Sequence, residues 1–157
     1  MPLDRLTDYL DTHQIKYQVI HHSPAYTAQE IAAAAHIPGR EVAKTVVVEI
    51  DGKMHVIALP APAKVDFARL REQLQARNAT LASESRFQDR FPGCELGAMP
   101  PLGSLFEMPV IVDEALTRDE VIYFNACSHR ELIRMRFEDF ARLEHPKVLK
   151  LSAVAKA

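Results

Sequence analysis

The run AKTVVVEIDGKMHVIALP, residues 43–60, constrains this chain more than any other stretch. Two blocks of β-branched and apolar residues flank an Asp-Gly pair, the strongest short-range signal for a tight hairpin. The run predicts two neighbouring antiparallel strands, and therefore a sheet at the centre of the fold. Lys44 stands inside the first block, where an apolar strand would exclude a cation. Two readings account for it. Period-2 alternation can place the ammonium on a solvated face. Alternatively, a lysine projecting from a rigid strand into a cleft anchors an anion, holding a phosphate or an ester oxygen with one strong charge.

The remaining periodicities mix the two kinds of element. Leu3, Leu6 and Leu10 fall at helical spacing over residues 3–13, with Pro2 tolerated in the first turn. In TAQEIAAAAHIPG, Thr27 and Glu30 have capping-box spacing, and Pro38-Gly39 ends the helix. Asp66 caps FARLREQLQA, Ser83 caps SESRFQDRF, and EDFARLE is helical. KYQVIHH, ATLA, PVIVD, EVIYFNA and LIRMRF read as strands. The inventory predicts an α+β domain with a mixed, curved, barrel-like sheet of about six or seven strands surrounded by helices. One domain spans 1–157, with its core at about 5–143, and the tail from 146 to 157 is expected to be loosely held.

A chain of 157 residues that is 48% hydrophobic can bury a core without a disulfide or metal staple. Its formal net charge of -2 makes the whole molecule no magnet for nucleic acid, so any RNA contact must be local. DNA is not expected as a partner. Cys94 and Cys127 are far apart and lack metal-ligand spacing, and MPLDRLTDYL resembles no signal peptide, which points to a reduced, cytoplasmic setting. No apolar run approaches the roughly 20 residues that span a membrane.

The seven histidines suggest no metal: His21 and His22 are adjacent on a strand and point to opposite faces, and neither His-Glu-x-x-His nor Cys-x-x-Cys occurs. Cys127 and His129 could share a face in NACSHRE, but a third orienting group is missing and a buried structural thiol is the commoner state. Ser104 and Ser128 lie in no Gly-x-Ser-x-Gly elbow. What remains is GAMPPLG, residues 97–103, whose paired glycines and prolines specify a rigid loop. It is either a connection between helix and strand or a wall whose exposed backbone amides can stabilise an oxyanion.

Four motifs in order, TAQEIAAAAHI, AKTVVVEIDGKMHVIALP, the Gly97-x-x-x-Pro101-x-Gly103 pattern, and PVIVD followed by VIYFNACSHRELIRM, resemble the YbaK/ProX family over residues 5–143. This family comprises editing domains inserted in or associated with prolyl-tRNA synthetases. The resemblance implies a trans-acting aminoacyl-tRNA deacylase that hydrolyses the ester of a mischarged tRNA at its 3′ acceptor end, with no cofactor and no metal. Carried over residue by residue, it marks Lys44, Gly97 and Gly103 as catalytic. Tyr26, Thr45, Met99, Pro100, Pro101, Asn125, Ser128 and His129 become the substrate-binding residues. Cys127 stands where many relatives have glycine. A pocket walled by Met99, Pro100, Pro101 and Tyr26 would select small side chains such as alanine, serine or cysteine, and the tRNA for proline is the expected carrier. A patch of Lys44, Arg40 and Arg130 would hold the RNA, with help from a prolyl-tRNA synthetase. The rival reading is a non-catalytic module that binds a nucleotide or an aminoacyl adenylate.

Overall fold

The hairpin forms as the sequence requires. In a computed structural model, which describes residues 2–25, 28–95 and 97–151, strands β2 (Ala43–Ile50) and β3 (Lys53–Pro60) pair antiparallel from Ala43↔Pro60 to Ile50↔Lys53. The turn residues Asp51 and Gly52 both take positive φ, 49° and 84°, the conformation that matches hairpin twist. The Asp51 carboxylate also accepts the amides of Arg77 and Asn78, fastening the turn to the neighbouring loop.

Around this hairpin the chain orders α1 (Pro2–Thr12), β1 (Tyr17–His21) and α2 (Ala28–Ala34) before it, then α3 (Phe67–Leu74), β4 (Ala79–Leu81) and α4 (Glu84–Phe87). Strands β5 (Val110–Asp113), β6 (Val121–Asn125) and β7 (Glu131–Arg136), helix α5 (Phe137–Glu144) and β8 (Lys147–Leu149) complete it. The α+β class and the mixed, curved strand core are as expected. The barrel does not close: the strands divide into a three-stranded antiparallel sheet, β1-β7-β6, and a five-stranded mixed sheet, β4-β2-β3-β5-β8. A parallel bridge between Val42 and Tyr123 joins them. Among the described residues there are eight strands rather than the six or seven expected, because Lys147–Leu149, expected in the tail, pairs as a strand.

The burial pattern explains why β2 and β3 are continuous apolar runs. Val47 and Val56 face a core that also takes Leu6, Leu10, Phe124, Ile133 and Phe140, whereas Val48, Ile57 and Leu59 face a second cluster with Leu70 of α3. A strand covered on both faces has no polar side to alternate with. Asp66 caps α3 as predicted, its carboxylate accepting the amides of Ala68 and Arg69. Thr27, the predicted cap of α2, lies outside the described residues.

For residues 147–151 the expectation of a loosely held tail is corrected by the structure, while residues 152–157 lie outside the described residues. Strand β8 extends the sheet parallel to β5, and Leu151 is fully buried in the cluster beneath α3. The Leu151 amide donates to the buried Asp113 carboxylate at 2.9 Å, and its carbonyl accepts the Asp66 amide at 2.8 Å. Its hydrophobic signal is three residues long, too short for any period to register. Leu151→Ala is expected to cost about 2–5 kcal/mol, read as a lowered Tm at about 2–4 °C per kcal/mol.

Candidate active site

The bridge between the sheets sets the geometry around Lys44. Val42 and Tyr123 form a parallel bridge, so Lys44 and Asn125 each lie two residues beyond the point where the two strands meet. Alternation puts Lys44 on the face of Val42, which packs with Tyr123. The Asn125 amide nitrogen in turn donates to the Gly97 carbonyl at 3.4 Å. The bridge thus joins the start of β2 to β6, and the Asn125 side chain ties the end of β6 to the glycine-proline loop.

The β6–β7 turn closes this place from the other side. The Cys127 amide donates to the Ala98 carbonyl and the Glu95 amide to the Cys127 carbonyl, each at 3.0 Å, so Glu95 and Ala98 both lie against Cys127. Cys94 and Cys127 are joined in a disulfide, which corrects the reading of reduced, separate thiols and removes Cys127 as a nucleophile. The spacing argument failed because 33 residues of sequence say nothing about proximity once two loops are pressed together. The His129 amide donates to the Glu95 carboxylate at 2.7 Å, and a Cβ on Gly97 would lie 3.4 Å from His129 Cε1. Gly97 itself has φ +84°, a left-handed conformation that favours glycine. Glu95 had no signal in the sequence, since its partner lies 34 residues away.

Electrostatically, Lys44 is the unusual group. Burial pushes its pKa down from the ordinary 10.5, and the positive charge of Lys64 pushes the same way. Among the described residues no carboxylate forms an ion pair with it. Arg40, by contrast, is answered by Glu41 at 3.8 Å and Asp119 at 4.0 Å. The groove that Arg40 lines sets Arg40 and Arg118 against Glu41, Asp119 and Glu120, so it offers phosphates no net attraction. A half-desolvated ammonium without a counter-charge is stabilised by any anion that reaches it.

The match to a model of the aminoacyl-tRNA editing domain covers residues 22–143, which includes every group just described. The chain belongs to the aminoacyl-tRNA editing domain family. It is similar to the Escherichia coli K12 protein named multifunctional Ser/Thr-tRNA deacylase ProXp-y, 24% identical over 96% of this chain and 93% of that one. A proline–tRNA ligase of Lysinibacillus sphaericus matches at 26% over 57% of this chain and 16% of its own length. Among solved structures, a candidate trans-editing enzyme for prolyl tRNA synthetase superposes with a TM-score of 0.83, at 18% identity and 98% coverage of both chains. That likeness shows the fold.

Within this editing domain the remaining loop residues point inward. Met99 and Leu102 are buried in the main core, and Pro101 is buried. Pro100 lines a small apolar gap beneath α1 with Leu6, Phe106 and Cys127. A Cβ on Gly103 would strike the Met108 carbonyl oxygen and Val110, so glycine there permits close backbone packing. Ser104, next in sequence, is held by Glu144, which accepts its amide at 3.0 Å and its hydroxyl at 2.7 Å, and Tyr9 joins both. The far end of the loop is therefore an anchor. Gly103→Ala is expected to destabilise the fold by about 1–3 kcal/mol, seen as a lowered urea midpoint at unchanged m.

Thr45 points to the opposite face of β2 from Lys44, across from Ala58, and its hydroxyl is buried without a hydrogen-bond partner. The Asn125 carbonyl oxygen is in the same condition. Ser128 donates to the Glu131 carboxylate at 3.1 Å and accepts the Arg130 amide, which shapes the β6–β7 turn. Tyr26 lies outside the described residues. Among the described residues, no helix is long and apolar enough to cross a membrane.

Proposed function

We propose that this chain hydrolyses, in trans, the ester of a mischarged tRNA carrying a small amino acid, with the tRNA for proline as carrier. One observation carries the reading: within a chain of the editing family, an ammonium with no ion-pair partner among the described residues lies two residues past the Val42–Tyr123 bridge, on whose other strand Asn125 is hydrogen-bonded to a left-handed glycine. Lys44 holds the phosphate or ribose of the terminal nucleotide as a point charge. Water attacks the ester carbonyl, backbone amides at Gly97 take the developing oxyanion, and the ribose oxygen leaves with a proton. The substrate's own ribose hydroxyl assists the attack.

An aminoacyl ester is already activated, so positioning and charge stabilisation suffice without a nucleophilic side chain. The unpaired Asn125 carbonyl oxygen is suited to a polar group of the bound aminoacyl end, because it gains the hydrogen bond it lacks. His129 walls the acyl pocket over Gly97. Size exclusion rejects bulky residues, whereas one methylene is worth only about 1–3 kcal/mol. The one editing domain spans 1–157 and works in the cytoplasm, where tRNA is charged, with a prolyl-tRNA synthetase as the source of its substrate.

The test is a panel of alanyl, seryl, threonyl, cysteinyl and prolyl esters on the tRNA for proline and on other tRNAs, with protein far below substrate. Multiple turnovers on the small residues and none on the correct pair support the reading. Stoichiometric capture without release of free amino acid would make the chain a binder instead.

A further inference from the structure

We infer that the Cys94–Cys127 pair is a redox-modification site that sets the geometry of the editing centre, its reactants being cellular dithiols. Three observations meet there. The bond ties the segment leading into Gly97 to the turn that carries His129, and two backbone hydrogen bonds, Glu95 to Cys127 and Cys127 to Ala98, run beside it. Cys127 has φ 70°, a left-handed backbone that a side-chain-bearing residue adopts only when its surroundings hold it there. Cys127 is buried whereas Cys94 is partly exposed, so Cys94 is the residue of the pair that an incoming thiolate approaches first.

The inference rests on the proposed reaction, because tRNA is charged in a reducing compartment, where disulfides are rare and those present are chiefly catalytic or redox-sensing. The exchange is a two-step transfer. One thiolate of a dithiol attacks Cys94 Sγ, the S–S bond breaks, and its electron pair leaves on Cys127 Sγ, which takes a proton. The second thiolate of the dithiol then attacks its own mixed-disulfide sulfur. Cys94 leaves as a thiol, and the dithiol departs as a cyclic disulfide, two electrons having passed to the protein. Without the bond Cys127 is free to leave its left-handed conformation. The Glu95–Ala98 segment then loses the alignment that places the Gly97 backbone against Asn125 and His129.

The experiment compares kcat/KM for deacylation of the oxidised protein with that of protein reduced by dithiothreitol, the thiol count being verified by alkylation and mass. Reduction is expected to lower kcat/KM about tenfold, as a small misplacement near reacting atoms does, and reoxidation to restore it. Cys127→Gly, which suits the left-handed backbone, is expected to be indifferent to dithiothreitol. Equal kcat/KM in the two verified states, or a Cys127→Gly variant as sensitive as the parent, would overturn the inference, as would thiols that stay alkylatable after oxidation. Hydrogen exchange at the Glu95 and Cys127 amides reads the same switch without catalysis, faster exchange being expected on reduction and unchanged exchange counting against the inference. A chain inactive in both states yet faster in exchange when reduced would therefore remove the proposed reaction while keeping the redox site.

Discussion

Lys44→Ala lowers kcat/KM for deacylation by about 10²- to 10³-fold, the loss seen when one preorganised charge-stabilising group is removed. The fold survives it. With the ammonium held half out of water and no carboxylate beside it, the side chain contributes nothing that a neutral one would not. The sign follows from proton linkage. The folded pKa lies below the unfolded 10.5, so between the two values the unfolded chain binds more protons and stability rises with pH. Below the folded value the full cost of the buried charge is present. Lys44→Met should therefore show a Tm at or above that of the parent while deacylating no better than the alanine variant. The alkaline limb of kcat/KM should set in below the ordinary lysine range, since the charged form is lost early. Near-parental turnover in a folded Lys44→Ala protein would remove the anion-anchor role.

Gly97→Val is the second large effect, with an expected loss of about 100-fold in kcat/KM. A φ of +84° costs a β-branched residue about 1–2 kcal/mol. The first added carbon already meets His129 Cε1 at 3.4 Å, so the two methyl groups beyond it must displace the imidazole or the loop. Gly97 is exposed, so the variant remains folded, and the loss falls on turnover far more than on Tm. Gly97→Ala should lie between parent and valine. The paired measurement is kcat/KM with a thermal melt. Parental kinetics in folded Gly97→Val would show that the Gly97 backbone and His129 do not frame the ester. Gly103→Ala provides the contrast, because there the collision is with buried backbone and stability falls first.

Much of this was legible along the chain. The hairpin over residues 43–60, the Asp66 cap and most strands followed from period, turn chemistry and capping, which act over a few residues. Lys44 and Gly97 were legible as anomalies, a cation in an apolar strand and a glycine in a rigid loop. The links that relate them were not, since they are the Val42–Tyr123 bridge between strands 81 residues apart and the Asn125 side chain reaching Gly97. Gly103 and Pro101 stand with Gly97 in the motif, yet both are buried, because a loop's inner and outer sides are assigned by what packs beneath it.

From its order of residues alone the chain determined which segments become helix or strand and which side chains are out of place in them. Those preferences are local, set by backbone sterics and by the periods of the two regular structures. Tertiary structure alone decided that the strands divide into two sheets, that residues 147–151 stitch onto β5 and α3, and that Cys94 meets Cys127 beside Gly97. Each of these rests on burial shared between distant segments, a quantity that does not exist until both are in place.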